Sequence, residues 1–410
     1  MRDGHLATIL RTLPGPRNVG YNRCMRKVAV VGVGVTKFGK HERTCAELFA
    51  DAAVDALTDA DIRPRQVQGV YVGNVVGEAG ERQLHLGPQV TSALGIPEVA
   101  ATRFETACAS SHAAFRHALF EIASGAADVL LVGGAERVLT MPTERSTEVF
   151  AYASDAVFEQ PAGLTFPGVF ALIARAHMTK HGTTEEQMAH VAVKNHRHGT
   201  MNPKAQFQKE ITLEQVLRSA KVADPLKLYD CCPFTDGAAA VVLASEEVAR
   251  KTRKPVWVLG SAQAGDSMCL HDKRDLARAV ATENAAQAAY RQAGVGPRDV
   301  DVAELHDCFT IAEIVATEGL GLCEPGTGGI AAEKGETSLG GRIPVNVSGG
   351  LKAKGHPIGA TGAAQVAEIA TQLRGEAGRR QVEDAKVGLT HTLGGNTATV
   401  LVSLFGSEPR

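Results

Sequence analysis

One stretch of this chain occurs twice. Residues 52–67 (AAVDALTDADIRPRQV) lie on residues 285–300 (AAQAAYRQAGVGPRDV) at a constant offset of 233. Seven of the sixteen positions are identical: Ala52/Ala285, Ala53/Ala286, Ala56/Ala289, Ala60/Ala293, Pro64/Pro297, Arg65/Arg298 and Val67/Val300. Unrelated sequence gives about one. Both copies read as an Ala-rich helix, a Pro-containing turn and an apolar strand, VQGVYVGN in the first and VDVAELHD in the second. A looser pair follows the same order. ACASSHAAFRHALFEIASG (107–125) and GHPIGATGAAQVAEIATQLRG (355–375) each read as a small-residue turn and a helix, followed by DVLLVGG and KVGLTHTLGG as strands.

A duplication of this kind confines 410 residues to two similar α/β halves, about 26–250 and 255–410, joined near RKTRKPV (250–256). Strands alternating with helices predict parallel sheets covered by helices. The first half is longer. Its surplus, about 140–225, is rich in His, Thr, Met and Pro with weak periodicity, and reads as an insertion over one face, a common way to build a binding lid. Residues 1–25 read as an extension expected to be poorly ordered. Met25 opens MRKVAVVGVGVTKF and is an alternative start to Met1.

Composition excludes several classes. The net charge of −2 carries no nucleic-acid footprint, and no apolar run is long enough to span a membrane. The eight cysteines form no C-x-x-C pair and suit neither a zinc site nor a disulfide framework. A cytoplasmic chain with reduced thiols is expected.

Four segments carry chemistry. In ETACASSHAA, Cys108 sits among small residues directly before a helix, whose N-terminal amides are expected to lower a thiol pKa. In GHPIGATG (355–362), Pro357 restricts His356 to extended conformations, so the imidazole is rigidly presented, as a nucleophile's base must be. In ELHDCF (304–309), His306, Asp307 and Cys308 fall at the end of the duplicated strand, where ligand sites form in open parallel sheets. In THTLGGN (390–396), Gly394 and Gly395 can expose amides to a substrate. Singly, each has a structural explanation: a buried thiol, a helix-capping turn, a structural cluster, a Gly-Gly turn. Together they occupy junctions of one kind in the duplicated frame.

With ACASS, ELHDCF, GHPIGATG and YDCCPFTDGAAAVVLAS (229–245) in place, the chain resembles the thiolase superfamily along nearly all of residues 26–410. The HDCF form is similar to the sterol-carrier-protein-type thiolases and the archaeal-type acetyl-CoA acetyltransferases, rather than to the biosynthetic thiolases with their NEAF run. The resemblance implies a duplicated α-β-α-β-α five-layered fold with an inserted loop domain that binds coenzyme A. It implies no permanently bound cofactor, coenzyme A thioesters as substrates, and a homodimer or tetramer. It assigns Cys108 as the acylated nucleophile and His356 as its base and an oxyanion donor. His306 stands at the position of a water-holding Asn. The amides of Cys108 and Gly394 form a second oxyanion hole. Many thiolases carry a proton-abstracting cysteine two residues before the equivalent of Gly394. Thr392 stands there in this chain, and Cys308 is the expected substitute. Asp307 is a weaker candidate, and His177 and His181 are expected in solvated helix-end roles.

The implied activity is Claisen condensation of two acetyl-CoA, or the reverse thiolysis. Three alternatives stay open. They are acyl transfer to another carbon acceptor, side-chain aldol cleavage with an OB-fold partner, and a non-catalytic acyl-CoA-binding scaffold. Relatives also work with the next, acetoacetyl-CoA-condensing enzyme.

Overall fold

The computed structural model describes residues 25–409, so residues 1–24 of the expected extension lie outside it. Eleven strands are β1 (Val28–Val35), β2 (Gly69–Gly73), β3 (Ala101–Phe104), β4 (Val129–Glu136), β5 (Lys221–Ala223), β6 (Leu226–Lys227), β7 (Gly237–Ser245), β8 (Val256–Gly265), β9 (Val302–Glu304), β10 (Val387–Gly394) and β11 (Thr399–Gly406). The longer helices are α1 (Cys45–Asp59), α2 (Ser110–Ser124), α3 (Phe166–His181), α4 (Glu185–Gly199), α5 (Val280–Ala293), α6 (Thr310–Gly319) and α7 (Thr361–Leu373).

Nine strands form one sheet in the order β3-β2-β4-β7-β1-β8-β11-β10-β9. The order is a mirror about the short antiparallel β1–β8 join, where Ala29 pairs with Trp257 and Val30 with Val256. Val345 bridges Ala303 of β9 in parallel, at the place β3 takes in the other half. The duplicated segments form matching elements. Helices α1 and α5 end in left-handed residues at Asp61 (φ 52°) and Gly294 (φ 65°), which are themselves aligned in the repeat. One-turn 3-10 helices then begin at Pro64 and Pro297, and strands β2 and β9 follow.

The sheet is mixed, against the expectation of parallel sheets. β2 pairs in parallel with β3 and β4, and β10 with β9. β7 runs antiparallel to both β1 and β4, and β11 antiparallel to β10 and β8. The last strand of each half, β7 and β11, returns antiparallel to its neighbours. β10 reverses directly into β11 within a few residues, which only an antiparallel pair permits.

Helices α2 and α7 share one core cluster with residues of β1, β4, β7 and β11, between the two halves of the sheet. A second cluster takes in α1 and α5 against the other side. Strands β4, β7 and β10 are buried along their whole length, as two covered faces require. The contacts are close because the residues are small. A Cβ on Gly32 or Gly34 would collide with the Ala56 or Ala52 carbonyl of α1. In the other half, a Cβ on Gly260 would lie 2.7 Å from the carbonyl of Ala289, the repeat partner of Ala56. The many Gly and Ala residues therefore let helix backbone rest directly on strand backbone.

The segment 140–225 is not irregular. It contains α3, α4 and the β5–β6 hairpin. Its periodicity is hard to read because α4 buries polar side chains, Lys194, Asn195, His196 and His198. Lys194 pairs with Glu313 at 2.6 Å, so this helix is tied to α6 by a buried ion pair as well as by Met188 and Val191 in the shared apolar cluster.

Gly32→Ala should cost about 3 kcal/mol or more in urea unfolding, because backbone cannot yield as a side chain does. Val54→Ala, at an exposed position of α1, should stay within about 0.5 kcal/mol.

Candidate active site

Cys108 lies on a sharp turn between β3 and α2. Ala107 takes a left-handed backbone at φ 50°, unfavourable for alanine by about 1 kcal/mol. The turn is held from both sides. The Thr106 amide donates to Ser110 Oγ (3.0 Å), the Ser110 hydroxyl to the Ala107 carbonyl (2.6 Å), and the Ala107 amide to Glu105 (2.6 Å). A Cβ on Gly394 would collide with the Thr106 carbonyl, so the end of β10 lies directly against this turn.

His356 arrives from the other half. Its turn carries Gly355 at φ 112°. A Cβ on Gly359 would lie 2.7 Å from the Gly73 carbonyl, and one on Gly362 would lie 2.6 Å from the amide of His112 in α2. The turn thus seats on the ends of the first-half strands and on the helix that follows Cys108. The buried Glu136 fastens it, accepting from the amides of Val75 (2.9 Å), Val76 (3.0 Å) and Gly359 (3.0 Å) and from Asn74 Nδ2 (2.8 Å).

The His356 tautomer follows from its partner. The Thr361 hydroxyl donates to the Pro357 carbonyl (3.2 Å), so it accepts from His356 Nδ1–H (2.7 Å), which leaves Nε2 as the basic nitrogen. The Cys108 sulfur and ring nitrogens of His356 and His306 lie within 4.8 Å of one another. The two imidazoles stand nearly perpendicular, at 84° with centroids 5.0 Å apart. Neither nitrogen of His306 has a hydrogen-bond partner in the protein.

The electrostatics reverse one expectation. The Cys108 thiol is pushed up to about 12, first by burial and then by Glu136. The amides of Cys108 and Gly395 pull the other way and lose. Burial drives His356 down to about 3, assisted by Lys354. Burial and the neighbouring His356 and His391 hold His306 well below its usual range. At neutral pH the site is a thiol facing neutral imidazoles, not a thiolate–imidazolium pair.

The remaining candidates fall in different places. Cys308 is buried and outside the tight cluster of three. Burial, Cys232 and Cys108 raise its thiol well above the ordinary range. Thr392 donates to Gln365 Oε1 (2.6 Å) and accepts from His112 Nδ1 (2.8 Å), which makes it a structural link between β10, α2 and α7. Asp307 is an anchor. It accepts from the amides of Leu351 (2.7 Å) and Lys352 (3.3 Å) and from Asn195 (2.7 Å), and holds the approach to His356. The amide set against the Cys108 sulfur, besides the residue's own, is that of Gly395 rather than Gly394.

His177 is not solvated. It is fully buried at the join of α3 and α6, bonded to Thr183 (2.8 Å) and Glu318 (3.1 Å). The ring of His181 lies 4.7 Å from it, and His181 Nε2 is buried too. The sequence reading missed Glu136, Thr361 and Cys232. Glu136 carried a signal, a carboxylate closing the apolar strand VLLVGGAE.

The model "Thiolase, N-terminal domain" matches residues 28–247, and "Thiolase C-terminal domain-like" matches 262–407. The chain belongs to the thiolase family. This thiolase is 46% identical to an acetyl-CoA acetyltransferase of Methanothermobacter thermautotrophicus over 93% of this chain and 100% of that one. It is 37% identical to human sterol carrier protein 2, over 93% of this chain and 72% of that one. Among solved structures, the Ltp2-ChsH2(DUF35) aldolase superposes with a TM-score of 0.81 at 28% identity, covering 93% of this chain and 98% of that one.

Alkylation needs the thiolate. With the Cys108 thiol near 12, iodoacetamide labelling of the free protein should accelerate about tenfold per pH unit from 7 to 10. A rate that levels off below pH 8 would show a preformed thiolate and contradict this electrostatic account.

Proposed function

We propose that this thiolase is an acetyl-CoA C-acetyltransferase. It condenses two acetyl-CoA to acetoacetyl-CoA, or runs the reverse thiolysis, through an acyl group carried on Cys108. The observation that carries the reading is the close cluster of Cys108, His356 and His306, with the Nε2 of His356 left free. The 46% identity to a named acetyl-CoA acetyltransferase supports the choice of substrate.

In the first half-reaction His356 Nε2 takes the Cys108 proton as the sulfur attacks the acetyl-CoA carbonyl. Neutral partners suit this step, since the charge pair is made only as the bond forms. The Cys108 amide and the Gly394–Gly395 turn, whose Gly395 amide faces the sulfur, receive the oxyanion. CoA leaves with the proton from His356. In the second half-reaction another acetyl-CoA places its carbonyl oxygen by His356 and His306. Cys308, reacting as its thiolate, removes an α-proton, and the carbanion attacks the acyl carbonyl on Cys108. The Cys108 sulfur departs and takes that proton from Cys308, which restores the Cys308 thiolate.

Coenzyme A thioesters are substrates in this scheme, and no permanent cofactor is needed. Among the described residues no helix is long and apolar enough to cross a membrane, and the likeness to the archaeal acetyl-CoA acetyltransferase supports a cytoplasmic role. The likeness to the DUF35-containing aldolase supports a small OB-fold partner, and the family supports a homodimer or tetramer. Co-purification from the native source tests both.

Cys108→Ala should abolish exchange of labelled CoA into acetyl-CoA as well as condensation. Cys308→Ala should keep the exchange and lose condensation by about a hundredfold or more. Condensation undiminished in the second variant would remove Cys308 from the mechanism.

A further inference from the structure

We propose that Cys108, His306 and His356 also form a transition-metal site of the zinc class, whose occupation excludes the acyl group. The three ligand atoms already lie within 4.8 Å of one another. A tetrahedral ion with one sulfur and two nitrogens needs separations of about 3.3–3.6 Å, so small side-chain rotations close the site. His306 supplies the independent indication. It is fully buried, yet both of its ring nitrogens lack a partner. A buried polar atom without a partner is costly, and one directed at a thiol and a second imidazole is a ligand in waiting.

Thr361 takes the Nδ1–H of His356 and orients Nε2 for donation, as partners of metal-bound histidines do. Cys108 is only half-buried, so a fourth position stays open to solvent or to an incoming ligand. One sulfur and two imidazoles select Zn2+ or Co2+ over Mg2+ and Ca2+, which prefer oxygen. Binding forms an ion–sulfur bond and two ion–nitrogen bonds and releases the thiol proton to solvent. No electron is transferred. The site depends on His306, because the Asn that many thiolases carry at this position lacks an imidazole nitrogen to donate. An ion held on the sulfur and on the base nitrogen leaves neither free. Its effect on turnover therefore rests on the acyl-carrier reading, while its binding does not.

The test is titration of the full chain with Co2+ alone at neutral pH, read by thiolate-to-cobalt absorption in the near ultraviolet. One equivalent should bind and be displaced by Zn2+, with Mg2+ without effect. Cys108→Ala should remove the band. His306→Asn, of similar polarity and smaller size, should weaken binding about a hundredfold or more, beyond what losing a hydrogen-bond partner of a metal-bound histidine costs. Cys269→Ser should change nothing. That last variant matters because Cys269, His271 and Asp272 form a second, more exposed cluster within the same spacing. A band that survives Cys108→Ala, disappears in Cys269→Ser, or never forms in the unmodified chain would overturn the proposal. If the band behaves as expected but Zn2+ leaves turnover untouched, the acyl-carrier reading fails and the site stands.

Discussion

The site depends on how the turn around His356 is seated. Glu136 is a buried carboxylate at the end of β4, and its four donors come from the ends of β2 and from Gly359 of the other half. Burial lifts its pKa to about 7, and the amides of Val76, Val75 and Gly359 oppose the rise. Removing those donors would leave a buried charge without partners, so the carboxylate and the turn hold each other in place. The glycines do the rest. With Gly359 and Gly362 lying against Gly73 and His112, the imidazole of His356 reaches the sulfur of Cys108 across the pseudo-two-fold axis. The pair of Cys108 and His356 thus belongs to neither half alone.

The same burial decides the protonation states. A helix N-terminus favours a nearby anion by about 1 kcal/mol. Holding a thiol near 12 rather than 9 disfavours its thiolate by about 4 kcal/mol. Desolvation wins, and Cys108 rests as a thiol. The arrangement suits the acyl-carrier role proposed for Cys108, since a resting thiol is not consumed by stray electrophiles between turnovers. It also explains why a base with a fixed tautomer is needed, which Thr361 provides.

The duplication was legible because it sits in whole elements. The repeat from Ala52 to Val67 places a helix, a turn and a strand at once, and both copies form them. The cluster of Cys108, His306 and His356 was legible because short motifs fix each residue at a strand or helix end. Strand direction was not legible. Nothing in the apolar runs of β7 and β11 tells an antiparallel return from a parallel one, since both are buried on two faces. The roles of Asp307 and His177 were also hidden, because their partners, Asn195, Leu351 and Glu318, are distant in sequence. The raised thiol of Cys108 depends on burial by residues from both halves. Local motif chemistry therefore pointed to the wrong sign.

The central claim is that Cys108 carries the acyl group. Brief exposure to acetyl-CoA, an acid quench and peptide mapping by mass spectrometry test it most directly. One added acetyl group should appear on the peptide containing Cys108, and nowhere else. Acetyl found instead on Cys308 or Cys232, or an active protein that never carries the label, would contradict the account.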